Sequence, residues 1–293
     1  MKFALKLKKF YIPWYFKLIS KLVLSRIPFK NFFQQKLGIF KHGEMDNVNY
    51  LMRVFDGHLN RAGLNYKKLK GKRILEIGPG NSIGTALVSA SCMAESYLID
   101  NGNFACKSIY LYKELNEELI KRDLRPPNVN QIKNISELLE KCNAKYLVNG
   151  INSFKEIPDN SIDFIFSQAV LEHVNLHDFK ELLDQTKRVL NKNGICSHRV
   201  DLGDHLGGKL NNLRFSEKLW ESNFFKKSGF YTNRLRCSEI INLCNKVGFR
   251  VKEIKKRRWL KPVINSSKLN YKFQKFSENE LLISGFDILL EHN

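Results

Sequence analysis

The chain has 293 residues, room for one catalytic domain with additions or two small domains, and its 43% hydrophobic content is normal for a globular protein. Its charge is not: 49 Lys and Arg against 29 Asp and Glu give +20, which suggests an anionic partner surface, membrane or nucleic acid. The six cysteines form no C-x-x-C pair and no zinc spacing, so they read as reduced thiols of a cytosolic protein, and no apolar run is long enough to span a bilayer.

Residues 1–43 read as an extension. Ten basic residues from Lys2 to Lys41 precede the first acid, Glu44, so half of the charge excess lies here. Within it, Trp14, Leu18 and Leu22 recur at helical spacing, with Tyr15, Ile19 and Val23 beside them. That predicts an amphipathic helix over Trp14 to Ile27, with Pro13 at its N-terminal end. Lys17 and Lys21 interrupt the apolar stretch and argue against a signal peptide. The helix either lies on an anionic membrane surface or packs on the rest of the protein as a lid. A turn-like link then leads into a helix around Val48 to Leu64.

Next comes Ile74-Leu75-Glu76-Ile77, an apolar run that ends in Gly78-Pro79-Gly80 and enters a helix. This is a buried strand, a tight turn and a helix start. Glycines let a ligand approach the backbone, and the helix N-terminus offers free N–H donors. Twenty-two residues past Gly78, the run Tyr97-Leu98-Ile99 ends in Asp100, an acid placed for a ribose diol. A dinucleotide fingerprint wants a glycine three residues after Gly80, but Ile83 stands there. Glu76 would repel a pyrophosphate and attract an ammonium or sulfonium.

The remaining expected elements are a strand over 73–78, helix 82–91, strand 95–100 and helix 106–120. They continue with helix 135–142, where Asn134 and Glu137 suggest a capping box, then strands 145–149 and 162–167, helix 177–190 and strand 194–200. From Asp201 to Cys237 the pattern loosens into glycines and aromatics, taken as an acceptor-binding insertion. Helix 238–247, strand 249–257 and a last strand within 280–289 close the chain. A second basic cluster, Lys255 to Arg258, lies near the end.

The E-x-G-x-G arrangement from Glu76 resembles the first motif of class I S-adenosylmethionine-dependent methyltransferases. IPDNSIDFIFSQAVLEHV, Ile157 to Val174, resembles their fourth-strand segment, with Asp163 opening the strand, and KRVLNKNGI resembles the turn before their fifth. The resemblance covers about Lys72 to Val200. It implies an α/β fold, a doubly wound Rossmann-like seven-stranded sheet with helices on both faces. It also implies S-adenosylmethionine as cofactor, with Glu76, Gly78 and Gly80 at the methionine end, Asp100 on the ribose, Asn152 near the adenine and Gln168 facing the methionine carboxylate or the acceptor. More loosely, GIFKHGEMD, SHRVDLGDH, LRFSEKLW and YTNRLR resemble bacterial methyltransferases of surface-glycan synthesis.

For a hydroxyl acceptor a base is needed. SHRVDLGDH, Ser197 to His205, crowds imidazoles and carboxylates where an acceptor would enter. His198 oriented by Asp201 is the first choice of base and His173 the second; alternatively these carboxylates hold a divalent cation. Arg214, Asn233 and Arg234 suit a phosphate or carboxylate, and the neighbouring aromatics could stack on sugar faces. The expectation is O-methylation of a sugar or lipid-linked glycan by a cytoplasmic protein peripheral to the membrane. Nucleic acid ranks lower as substrate, because SQAVLEH lacks the Asn or Asp, two prolines and aromatic usual in exocyclic-amine methylases. A non-catalytic cofactor-fold protein with a membrane-binding arm is the third reading.

Overall fold

The computed structural model describes residues 13–24 and 44–293. Helix α1, Trp14–Leu24, is followed by α2, Val48–Arg61, whose apolar stripe Leu51, Met52, Phe55 and Leu59 is buried. Each such side chain contributes roughly 1.5–3 kcal/mol by leaving water. Asn47 caps α2 by accepting the Tyr50 N–H at 2.9 Å. Gly63, at φ 67°, ends it, and the Leu64 N–H returns to the Leu59 carbonyl at 2.9 Å, as in a Schellman turn.

From there strands and helices alternate: β1 Arg73–Ile77, α3 Gly84–Ser91, β2 Glu95–Ile99, α4 Ile109–Lys121, α5 Ile135–Lys141, β3 Ala144–Leu147, β4 Ile162–Gln168, α6 Phe179–Val189, β5 Leu190–Asp201, α7 Cys237–Lys246, β6 Phe249–Arg258 and β7 Ile283–His292. They form one seven-stranded sheet in the order β3-β2-β1-β4-β5-β7-β6. Every pairing is parallel except the two that β7 makes. This is the expected doubly wound, Rossmann-like α/β sheet. Its central strands are apolar on both faces, as parallel strands between helix layers must be. Ile74, Phe164 and Phe166 join one core with residues of α2 to α5, and Leu75, Ile77 and Ile165 join another with α6 and α7.

Several boundaries differ from expectation for local reasons. The Asn191–Gly194 turn lies inside β5: Leu190 pairs with Ile162 and Ile195 with Phe164, so five residues on β5 advance against two on β4, and the excess loops out as a bulge. At α5, Asn134 accepts the Glu137 N–H at 3.1 Å, but Glu137 reaches back to the Lys133 N–H at 2.8 Å rather than to that of Asn134. The last strand starts at Ile283, because Ser277 caps a helical turn over Glu278–Leu281. The 255–258 cluster forms the edge strand β6, where outward charges discourage further pairing. Its Arg257 turns inward to Asp287 at 3.0 Å and to the Val200 carbonyl at 3.0 Å.

Residues 259–279 had no expected element, and the helical turn Glu278–Leu281 takes the place of the first residues of the expected last strand. Residues 259–282 carry a second insertion, in which Leu269, Phe273 and Leu281 pack on Leu210 and Leu213 of the first. Both insertions rise from the carboxyl ends of the parallel strands, the edge that also carries Gly78, Asp100 and the loop after β4. Among the described residues no helix is long and apolar enough to cross a membrane.

Candidate functional site

The chain leaves β1 through two left-handed residues, Gly78 at φ 73° and Gly80 at φ 66°. A Cβ on Gly78 would lie 2.5 Å from a Val170 methyl, so the loop after β4 closes directly on this bend. Gly80 donates its amide to one Asp100 carboxylate oxygen at 3.0 Å, and Asn101 donates to the other at 2.8 Å. The later glycine, Gly84, has a packing reason: a Cβ there would stand 2.3 Å from Leu51 of α2.

Glu76 is 1% exposed, and its Oε2 has no hydrogen-bond partner. Burial pushes its carboxyl up to about 8; the Thr85 hydroxyl opposes that shift and the Asp100 charge adds to it. An orphaned acid beneath a glycine bend fits a ligand that brings a positive charge. The turn after β3, Gly150–Glu156, borders the same edge: the Gly150 N–H bonds the Asp100 carbonyl at 2.8 Å, and Asn152 is exposed.

Gln168, the last residue of β4, meets α2. Its Oε1 lies 3.1 Å from Nε2 of His58, whose Nδ1 lies 2.8 Å from the Ser197 hydroxyl and 2.9 Å from Arg61 Nη2. Sequence reasoning missed His58 and Arg61. The available signal was a histidine within the apolar stripe of α2, one turn before an arginine.

The expected crowd at Ser197–His205 comes apart. His198 is 1% exposed; its Nδ1 bonds the Ser167 hydroxyl at 2.8 Å, its Nε2 is unpartnered, and burial lowers it to about 4. The His198–Asp201 pair does not form, since Asp201 accepts the Gly203 N–H at 2.8 Å and is exposed. Asp204 is spent on the amides of Leu206, Lys209 and Asn211. These carboxylates therefore do not meet around a cation, and among the described residues no three His, Cys, Asp or Glu side chains do.

The histidines that do meet are His173 and His205. Their rings stack 5.0 Å apart at 8°, with Nε2 to Nε2 at 3.3 Å. His173 Nδ1 lies 3.1 Å from the Tyr231 carbonyl, which can only accept. The proton therefore sits on Nδ1, and Nε2 keeps its lone pair. Desolvation, then the nearby His173 and Lys21, lowers His205 to about 4. Glu172 is buried; it accepts the Asp201 N–H at 3.2 Å, and desolvation raises it to about 8.

Two of the three expected acceptor-binding residues are structural. Asn233 donates to the carbonyls of Leu171 and Val174 at 2.7 and 3.0 Å and so holds the loop after β4. Arg234, buried and at φ 64°, donates to the Phe215 carbonyl at 2.7 Å between the faces of Trp220 and Phe273. The aromatics Trp220, Phe225, Phe230 and Tyr231 form a small core with Leu206 and with Leu18 of α1, so they are not a sugar platform. Phe224 is the exposed exception.

Arg214 lies differently: its guanidinium is over the Trp14 ring at 5.1 Å, and it lines a cleft of about 730 Å³ between the two insertions. Lys268, Gln274, Leu210 and Phe276 also line this cleft. Helix α1 has two apolar sides. Trp14, Leu18 and Leu22 pack on the insertion, while Tyr15, Phe16, Ile19 and Val23 are each about half exposed.

A family model for a methyltransferase domain matches residues 102–197, a segment that starts just beyond Asp100. No curated protein matches the chain. Among solved structures, the chain is similar to Haemonchus contortus phosphoethanolamine N-methyltransferase 2 in complex with phosphomonomethylethanolamine and S-adenosylhomocysteine. The identity is 15% over 81% of this chain and 52% of that one, with a TM-score of 0.45, so the chain spans about half of that enzyme. It is similar to the Pyrococcus horikoshii protein PH0226 at 13% identity, covering 90% of this chain and 100% of that one, TM-score 0.46. It is also similar to a Mesorhizobium loti S-adenosylmethionine-dependent methyltransferase at 11% identity, covering 78% and 94%, TM-score 0.43. Residues 102–197 are thus similar to a methyltransferase domain, and they lie within the seven-stranded sheet described above.

Proposed function

We propose that this domain transfers a methyl group to a hydroxyl of a carbohydrate, carried on a lipid at an anionic membrane face. The observation that carries the cofactor half is the orphaned, buried Glu76 beside the Gly80–Asp100 contact. Glu76, Gly78 and Gly80 would hold the methionine end, Asp100 the ribose, and the Asn152 turn would border the base. S-adenosylmethionine, when bound, supplies an electrophilic methyl on a sulfonium.

The chain's own work is alignment and proton removal. His173 sits in the loop directly after β4, its tautomer fixed by the Tyr231 carbonyl. Its Nε2 takes the proton that the acceptor hydroxyl gives up. Arg214 and Lys268 in the cleft suit a phosphate that links sugar to lipid. The exposed row Tyr15, Phe16, Ile19 and Val23, in an extension with ten basic residues, suits the lipid surface. One helix thereby packs on the acceptor-binding insertion and offers its other side to a membrane.

Two measurements test this. Calorimetry with S-adenosylmethionine should give a single site, and methyl transfer to a glycolipid extract should exceed transfer to total RNA; the reverse ranking rejects the acceptor class. Flotation with anionic vesicles should be lost in a Phe16→Glu, Ile19→Glu protein, and equal partitioning of the two proteins rejects the membrane role.

A further inference from the structure

We propose that His58 and Arg61 fix the polarity of Gln168, so that its amide presents only N–H donors to the cofactor pocket and recognises the carboxylate of the cofactor's amino-acid end. The inference rests on the cofactor reading above and adds to it two positioning residues and a direction for one contact.

The argument follows from what each group can do. A guanidinium only donates, so Arg61 Nη2, 2.9 Å from His58 Nδ1, requires a lone pair on that nitrogen. The Ser197 hydroxyl, 2.8 Å from the same Nδ1, donates to it as well, and Arg61 Nε donates to that hydroxyl at 3.4 Å. The ring proton is therefore on Nε2, and it points at Gln168 Oε1, 3.1 Å away. Burial, followed by the Arg61 charge, holds His58 well below its ordinary value, in keeping with a neutral ring. Arg61 is itself anchored by Asp287 at 3.5 Å, which pairs also with Arg257.

With its oxygen committed to His58, Gln168 has only its NH₂ to offer a ligand. The β1–β4 register places Glu76 opposite Phe166, so Glu76 and Gln168 lie on the same sheet face, on adjacent strands, two residues apart in register. Glu76 brings an acceptor with no partner and Gln168 brings donors. Together they match the two charges of an α-amino acid, ammonium and carboxylate. A nucleoside without that tail would make neither contact.

The test is calorimetry with S-adenosylhomocysteine and with 5′-methylthioadenosine, which keeps the nucleoside and the sulfur but lacks the amino-acid end. Gln168→Glu, an isosteric change that replaces donors by acceptors, should weaken S-adenosylhomocysteine about thirtyfold or more, and Gln168→Ala by about tenfold. Both should leave methylthioadenosine within about twofold. Equal or tighter binding of S-adenosylhomocysteine by Gln168→Glu overturns the proposal, as does a parallel loss of both ligands. Nitrogen-15 NMR of the His58 ring in the unaltered protein checks the tautomer independently of any variant: Nε2–H supports the proposal and Nδ1–H overturns it. If the unaltered protein binds neither ligand, the cofactor reading itself fails.

Discussion

Asp100 closes the glycine bend on itself: one carboxylate oxygen accepts the Gly80 amide at 3.0 Å while the other holds the Asn101 amide at 2.8 Å. The acid placed for a ribose is thus also the clamp that shapes the bend. Asp100→Ala should remove both roles, lowering S-adenosylmethionine affinity about a hundredfold and stability by about 1 kcal/mol. Asp100→Asn retains one acceptor oxygen and should lose about tenfold. Calorimetry and urea melts separate the two effects, and an alanine variant that binds normally would remove Asp100 from the site.

Glu76 makes both stability and cofactor affinity depend on pH, in opposite senses. Its carboxyl is raised from 4.5 in the exposed chain to about 8 by burial. The folded form therefore binds more protons than the unfolded one in that interval, and stability falls as pH rises from about 4.5 to about 8. A cationic ligand favours the ionised form, so cofactor binding should release a proton and tighten with rising pH across the same window. Glu76→Gln should remove its share of this fall, to which Glu172, raised to about 8 for the same reason, adds. The lowered His58, His198 and His205 make stability rise with pH below about 6.5 and so oppose the fall there. Melting curves at pH 5 and pH 8, and binding heats in buffers of different ionisation enthalpy, measure the two slopes.

Gly78 combines a left-handed backbone with a neighbour that leaves no room. Gly78→Ala should destabilise by about 2–4 kcal/mol, since φ 73° strains an L-residue and the new methyl meets Val170 at 2.5 Å. Adding Val170→Ala should recover the steric part only, because the strain in φ remains. A double variant that regains full stability would show that the backbone conformation carries no cost here.

These residues also mark where sequence reading succeeds and where it stops. The strand–glycine–acid pattern from Ile74 to Asp100 was legible because strand, bend and helix start are local, and buried parallel strands leave unbroken apolar runs such as that of β1. What an exposed-looking polar loop does was not legible. Asp204 and Asn233 look like ligand donors by residue type, yet both are consumed by backbone groups of loops that have no ladder to satisfy them. His58, Arg61 and Ser197 meet across 136 to 139 residues of sequence, and no spacing rule reports that. Most of the insertion over 259–282 was invisible for a related reason: its helices are single turns, too short for any periodicity to emerge.

The two histidines weighed as base respond differently once their surroundings are known. His198 is sealed in the sheet, bonded to Ser167, with no route for an acceptor to its Nε2. Replacing it by alanine should cost about 2–3 kcal/mol through the cavity and the stranded Ser167 hydroxyl, while transfer per folded molecule stays within about twofold. His173 is exposed, its Nδ1 tied to the Tyr231 carbonyl and its Nε2 directed at His205. His173→Gln should lower methyl transfer to the glycolipid extract by about a hundredfold and leave S-adenosylhomocysteine affinity unchanged. His205→Ala, which removes the imidazole that occupies the face of the base, should spare most of the transfer, because an acceptor hydroxyl can take the place of that ring at Nε2. Initial rates with radiolabelled cofactor, normalised to the folded fraction, decide between them: full activity in His173→Gln moves the base elsewhere, and a hundredfold loss in His198→Ala restores the sheet histidine to the chemistry.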